Sequence, residues 1–158
     1  MDVPMIHLNI NGGKLTGKVG VTKDAPIHHL KELIEVRMGV KAARQTLLFN
    51  DQELDNSETV ESHNLTGGDT LSLVMKPLDG NPKFSIQLKS ESKNDTVEVR
   101  EADLVDDLRG KIGRRWLYPF VEISLVHCGK EMEDGFPLSA YLVCENSVVE
   151  VNVKMEPR

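Results

Sequence analysis

The second half of this chain repeats the first at a constant interval, and no other feature constrains its folding as much. Leu30 stands 78 residues before Leu108, and the same interval separates Ile34 from Ile112, Leu47 from Leu125, Leu54 from Met132 and Leu73 from Val151. Few paired residues are identical, but apolar positions match from the first helix signal to the last strand signal. Chance rarely holds one interval through a helix, several strands and their loops, so the chain is read as two copies of one small unit. Between the copies runs Pro77-Leu78-Asp79-Gly80-Asn81-Pro82, with the Pro and Gly expected of a linker. The units are therefore placed at 1–76 and 83–158, with the linker at 77–82.

Periodicity within each copy gives the same element order. Met5 to Ile10 alternate, Gly12-Gly13 supplies a turn, and Val19 and Val21 alternate again, which reads as a hairpin. Ile27, Leu30 and Ile34 then recur at helical spacing. Asp24 is the expected N-cap, Pro26 belongs in the first turn, and Gly39 is the expected C-cap. Thr46 to Phe49 is a buried-type strand, Asn50-Asp51 a turn, and Thr70 to Met75 the closing strand. In the second copy Phe84, Ile86 and Leu88 alternate, followed by Val97 and Val99. Asp103 is the expected cap of a helix carrying Val105, Leu108 and Ile112. Ile123 to Val126, the Cys128-Gly129 turn and Val149 to Val153 complete it. The physical solution to ββαββ plus a short strand is one sheet wrapped around one amphipathic helix.

This order and spacing resemble ubiquitin, twice. In the first unit the resemblance rests on Ile27-His28-His29-Leu30-Lys31, Gly39-Val40, Gln45-Thr46-Leu47-Leu48-Phe49, Asn64-Leu65 and Thr70-Leu71-Ser72-Leu73-Val74. In the second it rests on Gly129-Lys130-Glu131-Met132-Glu133-Asp134-Gly135 and Leu138-Ser139-Ala140-Tyr141. The resemblance implies an α+β fold of two β-grasp (ubiquitin-like) domains in tandem. Such a tandem is similar to the interferon-induced di-ubiquitin-like modifier and to the small tandem ubiquitin-domain proteins of plants.

The resemblance also implies where function would lie. Ubiquitin-like folds are read through a small apolar patch on the sheet, which maps here to Gly12, Leu48 and Val74, flanked by Ser72 and Lys76. In the second unit the strand positions are Val126 and Asn152, so an amide interrupts the patch. The expected partners are ubiquitin-binding domains, proteasomal receptors or ubiquitin ligases, held through a small and transient interface. Family lysines map to Lys31, replaced by Arg109 in the second unit, and to Lys130, replaced by Gln52 in the first. These two lysines are candidate ubiquitin acceptors. His63 takes the place of a loop tyrosine that Tyr141 keeps, so the first unit is expected to be looser there. A modifier of this type carries a C-terminal Gly-Gly, where Pro157 and Arg158 stand here. The leading expectation is a non-enzymatic binding protein. The alternative is a modifier conjugated to target lysines, with its Gly-Gly tail missing from this sequence.

Other chemistries are poorly supported. The formal net charge is −6, with no Lys/Arg cluster, which argues against nucleic acid. No apolar run approaches the roughly 20 residues of a membrane span, and Met1-Asp2-Val3-Pro4 lacks the apolar core of a signal peptide. Two cysteines, Cys128 and Cys144, fit reduced thiols in a cytoplasmic or nuclear protein, without zinc-ligand spacing. Gly12 to Lys18 approaches a phosphate-binding loop, but Val19 stands where the magnesium-binding hydroxyl belongs and the segment leads into a strand. His28 and His29 are adjacent on a helix and point apart. No catalytic residues, cofactor or metal are expected, and the chain is expected to be monomeric. Trp116, Tyr118 and Phe120 are expected to pack on the core or the linker.

Overall fold

The computed structural model describes residues 4–119 and 122–153. It divides into two compact units, Met1–Lys76 and Pro77–Arg158. In the first, strands β1 (Met5–Gly12) and β2 (Leu15–Thr22) form the hairpin, and helix α1 spans Ile27–Met38. Strands β3 (Gln45–Phe49), β4 (Gln52–Glu53) and β5 (Thr70–Met75) follow. The second unit repeats them as β6 (Phe84–Lys89), β7 (Asn94–Val99), α2 (Val105–Trp116), β8 (Ile123–His127), β9 (Lys130–Glu131) and β10 (Val148–Val153). The sheet orders are β2-β1-β5-β3-β4 and β7-β6-β10-β8-β9. The central pairs β1–β5 and β6–β10 are parallel, and every other pair is antiparallel. This is the α+β, tandem β-grasp architecture.

Alternation sends one side of each long strand inward. Ile6, Leu8 and Ile10 of β1 are buried, as are Leu71 and Leu73 of β5 and Leu47 of β3. Helix α1 contributes Ile27, Leu30, Ile34 and Met38. A Cβ on Gly17 would lie 3.0 Å from Met38 Sδ, so the end of the helix sits tightly on β2. Gly39 ends α1 at φ 80°, with its N–H on Glu35 O at 2.8 Å, the left-handed cap that glycine adopts without strain. In the second unit Ile86, Leu88, Val105, Leu108, Ile112, Leu125 and Tyr141 belong to one core.

The helix starts differ from the expectation. The cap positions are Pro26 and Leu104, and neither Asp24 nor Asp103 caps a helix. Asp103 instead accepts the Arg100 N–H at 2.9 Å. The first helical N–H groups meet backbone carbonyls from the far loop, Ile27 to Glu58 O at 2.8 Å and Val105 to Phe136 O at 2.9 Å. The first donor of each helix is thus satisfied by tertiary structure rather than by a side chain.

The 77–82 stretch groups with the second unit. Leu78 packs against its core and gives its N–H to Glu101 Oε1 at 2.7 Å. Trp116 is buried in that core and Tyr118 packs against it, while Phe120 lies outside the described residues. The Trp116 indole N–H donates to Asp95 Oδ2 at 3.0 Å, and Lys93 Nζ stands 5.6 Å from the Trp116 ring and 5.5 Å from that of Tyr118. The Arg115 fork, with help from Trp116 and the Thr96 N–H, holds the Asp95 carboxyl well below the usual carboxylate range.

His127 is a buried imidazole at the position where the first unit has Phe49. Its Nδ1–H donates to Tyr141 O at 2.8 Å, and its Nε2 faces Cys128 Sγ at 3.8 Å. Burial lowers its pKa, and the Tyr141 contact only partly opposes this. The unfolded chain therefore binds the extra proton first as pH falls below the ordinary imidazole value, and the fold loses stability across that window.

The single tryptophan, Trp116, reports on the second unit. Urea unfolding followed by its fluorescence should show Leu108→Ala losing about 2–5 kcal/mol. The same assay should show wild-type stability declining from about pH 7.5 to about pH 5, and His127→Phe flattening that decline.

Candidate functional site: the outer sheet face of the first unit

Of the patch residues singled out in the first unit, Gly12, Leu48, Ser72 and Val74 lie on β1, β3 and β5, strands that are non-consecutive in sequence but neighbours in the sheet, and Lys76 follows the end of β5. Leu48 pairs with Ser72, and Thr46 with Val74. Leu48 and Val74 are thus diagonal neighbours across an antiparallel pair, close enough to form one apolar surface. Val74 is 49% exposed and Leu48 is half-buried. Ser72 and Lys76 are exposed and share the outward alternation of Val74. Asn11 pairs with Ser72, so Gly12, the next residue of β1, stands at the rim. With no side chain, Gly12 leaves the patch to Leu48 and Val74. The Lys76 backbone is fixed to Arg44: its N–H donates to Arg44 O at 2.7 Å, and its carbonyl accepts from the guanidinium, with Nε at 3.0 Å.

In the second unit the matching face carries a charge that sequence reasoning missed. Glu150 lies directly opposite Val126, with Asn152 opposite Ser124 and Val148 45% exposed at the other end of β10. Strand pairing is what brings Glu150 beside Val126. The repeat interval from Ser72 to Glu150 was the available signal.

The two acceptor candidates differ in access. Lys130 is exposed on β9, beyond the Cys128-Gly129 turn, whose φ values of 49° and 79° suit a two-residue hairpin. Lys31 is buried on α1, only 5% exposed. Desolvation and the nearby Lys76 charge lower its pKa, against Glu53 and Asp55. An enzyme or reagent reaches such an amine only after local opening. Arg109, its counterpart, donates through Nε to Ile123 O at 2.8 Å and pairs with Asp134.

The loop expected to be looser in the first unit is closed by the same bond as in the second. The Glu133 N–H donates to the Tyr141 hydroxyl at 2.8 Å, and the Asp55 N–H to His63 Nε2 at 3.2 Å. An imidazole lone pair does there what a phenolic oxygen does in the other copy.

Elsewhere, a groove of about 740 Å³ runs along α2 past Lys83, Arg100, Asp103, Asp107 and Lys111. Two of its carboxylates are occupied by backbone N–H groups, Asp103 by Arg100 and Asp107 by Leu104. Among the described residues no three His, Cys, Asp or Glu side chains are grouped to hold a metal ion, and no helix is long and apolar enough to cross a membrane.

The model of the ubiquitin family matches this chain twice, over residues 7–78 and 86–156. The chain belongs to the ubiquitin family. It is similar to the NEDD8-like protein RUB1 of Saccharomyces cerevisiae, 34% identical over 70 residues that make up 42% of this chain and 91% of that protein. It is also similar to the NFATC2-interacting protein of Xenopus tropicalis, 30% identical over 95 residues, 56% of this chain; the chain spans only 22% of that protein's length. A solved structure of ATBAG1 in complex with HSP70 matches 46% of this chain and 41% of that one, at 20% identity and a TM-score of 0.45, a likeness too slight to bear on function.

Access separates the two lysines experimentally. A water-soluble amine-reactive ester at limiting dose, read by peptide mass spectrometry, should modify Lys130 at least about tenfold faster than Lys31, because labelling a buried amine requires local opening.

Proposed function

We propose that this member of the ubiquitin family is a non-enzymatic tandem ubiquitin-like protein that binds ubiquitin-system or proteasome components non-covalently. The observation that carries this reading is the diagonal adjacency of Leu48 and Val74 across the β3–β5 pair on the sheet face of the first unit, with Ser72 and Lys76 beside them. An apolar pair on a firm sheet, edged by a hydroxyl and an ammonium, suits the apolar side of a partner's helix or loop. Partners of that kind are ubiquitin-binding domains, proteasomal receptors and ubiquitin ligases. Interfaces of this small size are weak and transient. Glu150 opposite Val126 makes the second unit the poorer copy of this surface, so the first carries the main site. On this reading the protein works as a monomer in the cytoplasm or nucleus, with no nucleic-acid or membrane partner and no cofactor.

A second reading draws support from the similarity to the NEDD8-like protein RUB1, which covers 91% of that protein. Under it the chain is itself a modifier, conjugated to target lysines, with its Gly-Gly tail missing from this sequence. Pro157 and Arg158, which bear on that tail, lie outside the described residues. Incubation of the natural full-length product with ATP and activating enzymes separates the two readings, since only a modifier forms a thioester.

The binding reading is tested by NMR titration of a ubiquitin-binding domain into wild type and Leu48→Asp. The expected result is shifts centred on Leu48, Ser72 and Val74, and affinity lower by at least about tenfold in the variant, about 1.4 kcal/mol. Equal affinity would remove Leu48 from the site.

A further inference from the structure

The two units close the same loop with different chemistry. In the second, the Glu133 N–H donates to the Tyr141 hydroxyl; in the first, the Asp55 N–H donates to His63 Nε2, both pairs being related by the repeat interval. A phenolic oxygen remains an acceptor throughout the mildly acidic range. An imidazole nitrogen accepts only while it is unprotonated. Because Nε2 accepts, the ring proton in this state sits on Nδ1.

We propose that the His63–Asp55 bond is an acid-released latch that the first unit has and the second lacks. Uptake of a solvent proton at Nε2 consumes the lone pair that receives the Asp55 N–H and sets two N–H groups against each other. The charged ring has an alternative partner, because Glu58 Oε2 already stands 4.0 Å from Nε2. The Asp55 carboxylate acts on the same ring and is itself held by the Ser57 N–H and hydroxyl, at 3.0 and 2.8 Å. From α1, Lys31 acts on Asp55, and Glu53 of β4 acts on Lys31.

The ring is reachable by protons, its side chain being 20% exposed. What the latch holds is structural. Asp55 O accepts the Glu58 N–H at 3.1 Å, and Glu58 O accepts the first helical N–H of α1, from Ile27. Thr59 forms a bridge with Pro26. Releasing Asp55 therefore loosens the loop that anchors the start of α1. The matching loop of the second unit, on Tyr141, stays closed.

The test is amide hydrogen exchange and NMR of the intact chain from about pH 8 to about pH 5, a range that brackets imidazole protonation. The Asp55 amide should lose protection by about tenfold relative to that of Glu133, the scale of one ordinary hydrogen bond. Its chemical shift should follow the His63 ring resonance. His63→Tyr should keep Asp55 protected over the whole range. An Asp55 amide that stays protected while the His63 ring titrates would falsify the latch. A ring still neutral at the acid end, or a variant that titrates like wild type, would count equally against it. The wild-type comparison of Asp55 with Glu133 decides the matter even where the variant folds poorly.

Discussion

Each unit depends on the seating of one helix in the concave face of one mixed sheet. Buried apolar side chains fill the seat, and backbone hydrogen bonds fix where each helix starts. The Ile27 and Val105 N–H groups, left open at the helix starts, are taken by Glu58 O and Phe136 O from the loop that precedes the last strand. A buried N–H without a partner is costly, so the helix start and the far loop form together. Beyond that loop β5 lies at the sheet centre beside β1 in parallel, as β10 does beside β6. The remaining strands pair antiparallel around them, and the long strands turn their apolar side inward.

On that shared frame the two copies have diverged where packing permits. Most inward positions are apolar in both copies, but Gln45 is buried where the second unit has Ile123, and His127 stands where the first has Phe49; burial lowers that imidazole's pKa at the cost of acid stability. The outward positions differ in kind. Ser72 becomes Glu150 and Val74 becomes Asn152, which changes an apolar patch into a polar one without altering strand register. Lys31 becomes Arg109, whose guanidinium reaches a backbone carbonyl and Asp134. The two copies thus share one frame but present different side chains on the outer sheet face.

Much of this was legible in the residues. The repeat interval, the alternation of β1 and β6, the helical spacing of Leu30 and Ile34, and the Gly39 stop are local patterns, and each appears as read. Asp24 and Asp103 misled because the helices start later, with Pro26 and Leu104 at the cap positions and the first N–H of each taken by a carbonyl from across the fold. The first unit's loop at His63 was expected to be loose because a tyrosine is missing. It is closed because an imidazole nitrogen can accept the same N–H, a matter of geometry that residue type alone does not reveal.

The repeat with which the sequence begins therefore settles the architecture, since period-two and helical patterns specify which side of each element is buried. The resemblance to ubiquitin names the residues expected to form a patch. Only the tertiary structure decides which of them meet. Leu48 is brought to Val74, Glu150 to Val126 and His63 to Asp55 by strand pairing and loop closure between segments distant in sequence. Such pairings follow from the register of a whole sheet, a collective property that no local run of residues encodes.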